Sequence, residues 1–169
     1  PYKCCTSEFD MRIAYLLTAL ASIIIVSSVV VAFLFPVELM FSVEPRYWYV
    51  IYVSGSIIQT QAVPLYIIMW RTASLLFLSW LSLIIIYIIK PLSTADALSI
   101  IIGLAFIVFN YLYLFTIGAP LSFYPLIFVI HTIGHPLTYI DMGQVMIIYV
   151  IWRILVLRRK GLLKMFWAL

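Results

Sequence analysis

The chain has 169 residues, of which 66% are hydrophobic and only 9% charged, with a formal net charge of +4. A water-soluble core of this size cannot hide so much apolar side chain, which excludes a soluble enzyme or a soluble nucleic-acid-binding module. Lipid must be the solvent for most of it.

The predicted fold class is therefore all-α: a polytopic transmembrane helical bundle with five or six spans, in a single integral membrane domain over 1–169. The segment from Pro1 to Asp10 is polar and has no small-residue cleavage site, so it is not expected to be a signal peptide. Cys4 and Cys5 are the only cysteines. Neighbouring cysteines do not bridge each other without strain, so they are expected to be thiols near the membrane surface, with S-acylation as the alternative.

The first span is predicted over 13–35, where Ile13 to Phe35 gives 23 residues without a charge. At 1.5 Å per residue this covers about 35 Å, enough to cross with some tilt. Arg12 marks its start, Pro36 and Glu38 its end, and a loop continues through Glu44, Pro45 and Arg46.

The stretch from Tyr47 to Lys90 has two readings. One gives two spans, 47–69 and 73–90, joined by a tight turn at Trp70–Ser74 that leaves Arg71 at the interface. The other gives an interfacial or re-entrant piece over Tyr47–Gln61, then a single long span from Pro64 to Ile89. Tyr47, Trp48, Tyr49 and Tyr52 suit the headgroup belt. Ser54, Gly55, Ser56, Gln59 and Gln61 would not face lipid. The two-span reading is preferred.

Lys90–Pro91 stops a helix, and Thr94 is the expected N-cap of the next, predicted over 96–117, with Asp96 at its positive end. Gly118 and Pro120 close it. The last apolar region, 123–157, is 35 residues long and is interrupted by Gly134, Pro136, Asp141 and Gly143. It is predicted to be one helix kinked at Pro136 or two short ones split near 134–143, giving five or six spans, with four as the remaining alternative. Arg153, Arg158, Arg159, Lys160 and Lys164 follow or end this region and place the C-terminus in the cytoplasm. They are expected to meet anionic headgroups rather than nucleic acid. Glu38, Glu44, Lys90 and Asp96 are expected to be solvated flanks.

His131 and His135 are the only histidines. Four residues apart, they share one face if the segment is helical, and that face continues to Thr138, Met142 and Met146. Imidazole and thioether ligands together suit haem iron or copper, so His131, His135 and Met142 are the candidate cofactor-binding residues. The competing expectations are a polar packing or proton-relay role, and structural hydrogen bonding. The string Gly134–Tyr139 is similar to the His-Pro segment of the haem-copper oxidase main subunit, with Tyr139 four residues after His135. That family needs several more histidines on other helices, and this chain has one other, so the chain is not that catalytic subunit. Asp141 is expected at a membrane surface, with burial beside His135 as the alternative. Gln59, Gln61, Asn110 and Gln144 are the remaining polar groups at membrane depth; they suit interhelical hydrogen bonds, an ion path or a quinone pocket.

No phosphate loop, nucleophile elbow, zinc-protease motif or acidic metal cluster is present in the sequence. The expected function is a non-catalytic accessory or structural subunit of a larger membrane complex, of the energy-transducing, respiratory oxidase type, with other membrane subunits and the lipid bilayer as its partners. A haem- or copper-binding electron carrier and a small transporter or channel are the alternatives.

Overall fold

The computed structural model describes residues 3–36, 49–53, 56–60, 63–131 and 135–159. Within them lie four helices: α1 (Lys3–Leu34), α2 (Leu65–Ile89), α3 (Ser93–Thr116) and α4 (Met142–Arg159). Five short strands complete the set: β1 (Tyr49–Val53), β2 (Ser56–Thr60), β3 (Leu121–Tyr124), β4 (Ile127–His131) and β5 (Pro136–Ile140). The fold is mostly helical, and three helices are long and apolar enough to cross a membrane: Arg12–Leu34 within α1, Leu65–Ile89, and Thr94–Thr116 within α3.

α2 and α3 stop where the backbone chemistry says they must. α2 follows Pro64, whose extended backbone opens the helix, and ends at Lys90. Pro91 comes next and disfavours the helical conformation at Lys90, which is extended at φ −138° and ψ 104°. α3 begins at Ser93 with Leu92 as its N-cap, two residues before the expected Thr94, and Leu92 makes no side-chain cap. It ends at Gly118, whose φ of 72° is the left-handed turn that glycine takes without steric cost. The hydroxyls of Thr72, Ser74, Ser79 and Ser82 each donate to the carbonyl one turn back, so α2 presents no unpaired hydroxyl to lipid at these positions.

Two departures from the all-α expectation stand out. α2 runs unbroken through Trp70–Ser74, with a hairpin of β1 and β2 before it in place of a span over 47–69. The region 123–157 holds β4, β5 and α4 rather than a kinked or split helix, and Pro136 opens a strand. The strand order in the second sheet is β3-β4-β5, antiparallel throughout, with Tyr124 opposite Ile127 and His131 opposite Pro136. Five or six helical spans are accordingly not reached among the described residues. The expectations for Glu38, Glu44, Arg46, Tyr47, Trp48, Ser54, Gly55, Gln61, Gly134, Lys160 and Lys164 fall outside the described residues.

α3 is the central helix and contacts α1, α2 and α4. Its Ile100, Ile102 and Phe106 are buried among Leu17 and Ala21 of α1, Leu76 of α2, and Met146 and Val150 of α4. Gly103 lets α4 approach: a Cβ there would lie 3.2 Å from both Met146 Sδ and Val150 Cγ2. The sheet β3–β5 folds back against the end of α3, where Phe128 and Ile130 pack with Leu114 and Ala119. Large apolar side chains cover the outside, among them Tyr15, Ile23 and Phe33 on α1, Ile85 and Ile88 on α2, and Ile148, Ile151 and Leu155 on α4.

Candidate functional site: two polar clasps and an apolar cleft

α3 and α4 run antiparallel, and polar side chains join them at both ends. At one end Asp96 and Arg153 form an ion pair, with Arg153 Nε donating to Asp96 Oδ1 at 2.9 Å and Nη2 contacting the same oxygen. Both residues are buried, Asp96 at 5% and Arg153 at 8% exposure. The guanidinium also lies 4.8 Å from the centre of the Tyr87 ring and 5.3 Å from that of Trp152, so α2 shares in its neutralisation. Next to the pair, Ser99 donates to the Asp96 carbonyl at 2.7 Å and its oxygen is 3.0 Å from the Tyr149 hydroxyl. Asp96 and Arg153, expected as a solvated flank and a headgroup contact, are therefore interior groups. Asp96 sits in the first turn of α3, where the helix dipole also favours a carboxylate.

At the other end Asp141 is fully buried. It is not at a surface, and the partners seen for its carboxylate are not His135. The Gln144 backbone N–H donates to Oδ1 at 3.1 Å, while Gln144 Nε2 at 3.0 Å and the Tyr111 hydroxyl at 3.2 Å donate to Oδ2. Asp141 thus caps α4, with Gln144 three residues on, the spacing of a capping box. Gln144 also ties down the turn between β3 and β4: Nε2 donates to the Tyr124 carbonyl at 3.0 Å, and Oε1 accepts from the Leu126 N–H at 2.8 Å. The Asp141 N–H donates to the Leu126 carbonyl at 2.9 Å. Both main-chain polar groups of Leu126 are held, which stabilises its φ of 63° in a region that glycine normally occupies.

From Asp96 to Tyr111 α3 rises about 22 Å, less than the roughly 30 Å of bilayer hydrocarbon. The two clasps are therefore close enough together for both to fit within one bilayer thickness, and Asp96, Arg153 and Asp141 are shielded by the protein itself. Arg71 plays a related part at the α1–α2 contact: it is 3% exposed, and its Nη1 donates to the Ala32 carbonyl at 3.3 Å, in the last turn of α1.

Between α2, α3 and α4 lies a cleft of about 220 Å3, lined by Trp70, Ala73, Ser74, Phe77, Leu78, Phe106, Asn110 and Met142. Asn110 Nδ2 is buried and has no hydrogen-bond partner among the described residues. It abuts the first turn of α4, where a Cβ at Gly143 would come within 2.7 Å of it and within 3.0 Å of Asp141 Oδ1. A side chain at Gly143 would displace the amide.

The histidines stand elsewhere. His131 ends β4, is exposed, and its Nε2 is 2.9 Å from the Ser122 hydroxyl of β3. His135 is exposed just before β5. The shared helical face expected of His131, His135, Thr138, Met142 and Met146 is absent, because the first three belong to the sheet segment and only the methionines to α4. Met142 follows the far end of β5 and lines the cleft. Four residue rises, about 13 Å of strand, separate that end from the His131–Pro136 pair. No three His, Cys, Asp or Glu side chains come together as a metal site among the described residues. The two clasps and the cleft had weaker sequence signals: the Asp-x-x-Gln spacing before an apolar run, and an acid and an arginine beside membrane-length apolar segments. In comparisons with protein families, curated proteins and solved structures, nothing matches this chain.

Proposed function

We propose that this chain is a non-catalytic accessory subunit of a larger integral membrane complex. The narrower form of the reading places that complex in the energy-transducing, respiratory oxidase class. Its support is one observation: the charged groups at membrane depth are taken up by the bundle itself, while its outer faces stay apolar. Asp96 is neutralised by Arg153, and the Asp141 carboxylate accepts hydrogen bonds from Tyr111 and Gln144. A transport route needs polar groups that line a continuous path, and these are spent on holding helices together instead. The C-terminal end is assigned to the cytoplasm, where the basic residues Arg153, Arg158 and Arg159 would be retained.

The test is purification from native membranes in mild detergent, with co-purifying subunits identified by mass spectrometry and the visible spectrum taken on the same sample. A multi-subunit particle is expected, and haem bands in its spectrum would support the energy-transducing class. A homogeneous particle containing this chain alone overturns the accessory-subunit reading.

A further inference from the structure

The cleft between α2, α3 and α4 has a polar end and an apolar end, and its depth sets which is which. Asn110 lies six residues, about 9 Å, before the end of α3. Trp70 stands in the second turn of α2 and Met142 opens α4, and both line the cleft with Asn110. Phe77 and Phe106 lie deeper, Phe106 one turn below Asn110 and Phe77 nearly two turns below Trp70. A polar group just under the bilayer surface with apolar walls toward the midplane matches the layout of an amphiphile in its leaflet.

The unpartnered Asn110 Nδ2 supplies the chemistry. An amide N–H2 left without an acceptor in a low-dielectric site is destabilising, and a carbonyl oxygen is an acceptor that membrane amphiphiles carry. Asn110 lines the cleft, and the broad torsional profile of its terminal side-chain bond leaves the amide free to turn. The cleft volume of about 220 Å3 is below the roughly 300–1,000 Å3 of sites for drug-sized ligands, so it takes one ring or a short length of chain.

We infer that this cleft binds a membrane amphiphile through a carbonyl oxygen that accepts from Asn110 Nδ2, with the adjoining ring or chain against Phe77 and Phe106. Two sources share this chemistry: the ring of an isoprenoid quinone and the ester of a lipid. The inference is independent of the accessory-subunit reading, because it concerns the isolated chain.

The test uses the full chain in nanodiscs of diphytanyl ether phosphatidylcholine, a lipid that brings no ester carbonyl. Decyl-ubiquinone is titrated and tryptophan fluorescence followed. Saturable quenching is expected, and Trp70→Phe removes that component. Asn110→Leu weakens the apparent affinity about tenfold, the scale of one hydrogen bond in an apolar site. Ser74→Phe fills the cleft and abolishes saturation; it carries the test by itself if Asn110→Leu does not fold by circular dichroism. Displacement of the quinone by methyl laurate at similar concentration assigns the site to lipid esters, and failure to displace assigns it to quinones. Quenching that rises linearly, or that is unchanged in both variants, overturns the site. Loss in Ser74→Phe with no change in folded Asn110→Leu overturns the carbonyl assignment.

Discussion

Asp96 and Arg153 illustrate what a charge costs inside a membrane protein and why it is kept. Each alone would be an uncompensated buried ion, and the guanidinium also lies near the rings of Tyr87 and Trp152. Removing one partner therefore strands the other. Arg153→Met is expected to destabilise the folded chain by about 3–5 kcal/mol, and Asp96→Leu by a similar amount, whereas the double variant Asp96→Leu/Arg153→Met should lie within about 1–2 kcal/mol of the parent, because its two apolar side chains need no neutralisation. The shift in the midpoint of sodium dodecyl sulfate unfolding, followed by circular dichroism, measures all three. Additive losses in the double variant would mean that the two side chains act separately. In the sequence Asp96 reads as a solvated flank because it follows the helix stop at Lys90–Pro91 within a few residues. Burial of that position depends on the arginine of α4 reaching it from 57 residues away, a separation that no local pattern encodes.

Among the elements, the sheet β3–β5 is the one that local sequence concealed. A half-buried strand normally announces itself by alternation of polar and apolar residues, but from Phe123 to Ile130 every position is apolar, aromatic or proline, which erases period two as well as period 3.6 there. The remaining signals were compositional: β-branched and aromatic residues in short runs, punctuated by Pro120, Pro125, Gly134 and Pro136. The same enrichment marks β1 and β2, where Tyr, Val and Ile dominate. Long uninterrupted apolar runs mark α1 beyond Arg12 and α3, whereas α2 agrees with the alternative single span from Pro64 to Ile89 and not with the preferred pair of spans split at Trp70–Ser74. What holds the sheet to the bundle is Gln144, which reaches both Tyr124 and Leu126 from the first turn of α4. Gln144→Leu removes these bonds and leaves Leu126 with an unpaired N–H in a strained conformation. Hydrogen–deuterium exchange of the β4 and β5 amides is then expected to rise by about tenfold, corresponding to roughly 1.4 kcal/mol of local opening, with exchange in α2 and α3 unchanged. Equal acceleration across α3 would show that the sheet and the bundle open as one unit.

For the molecule as a whole, the contacts between helices fix which ends lie together. The last turns of α1 meet the first turns of α2 through Arg71 and Ala32, and α4 runs back along α3 with Asp141 beside Tyr111 and Arg153 beside Asp96. The two sheets connect α1 to α2 and α3 to α4, so both belong to one end of the bundle, opposite the short α2–α3 connection at Lys90–Leu92. Basic residues divide unevenly between these ends. Arg12, Lys90, Arg153 and Arg158 lie toward the α2–α3 connection, and Arg71 alone lies toward the sheets among the described residues with described side chains. By the positive-inside rule the α2–α3 connection is expected on the cytoplasmic side and the sheets on the other. α4 is shorter than the other three, and its basic C-terminal turn can reach the headgroups by snorkelling. If α4 crosses, the start of α1 and the end of α4 are on the same side. A fluorescent protein that folds only in the cytoplasm should therefore glow when fused to either end of the chain. In a variant with Cys4 and Cys5 replaced by Ser, Pro125→Cys in the β3–β4 turn should react with a membrane-impermeant maleimide added outside. Fluorescence from one end only would remove α4 from the crossings. A Pro125→Cys thiol that reacts only after the membrane is permeabilised would invert the orientation, and the basic residues would then have failed as the determinant of topology.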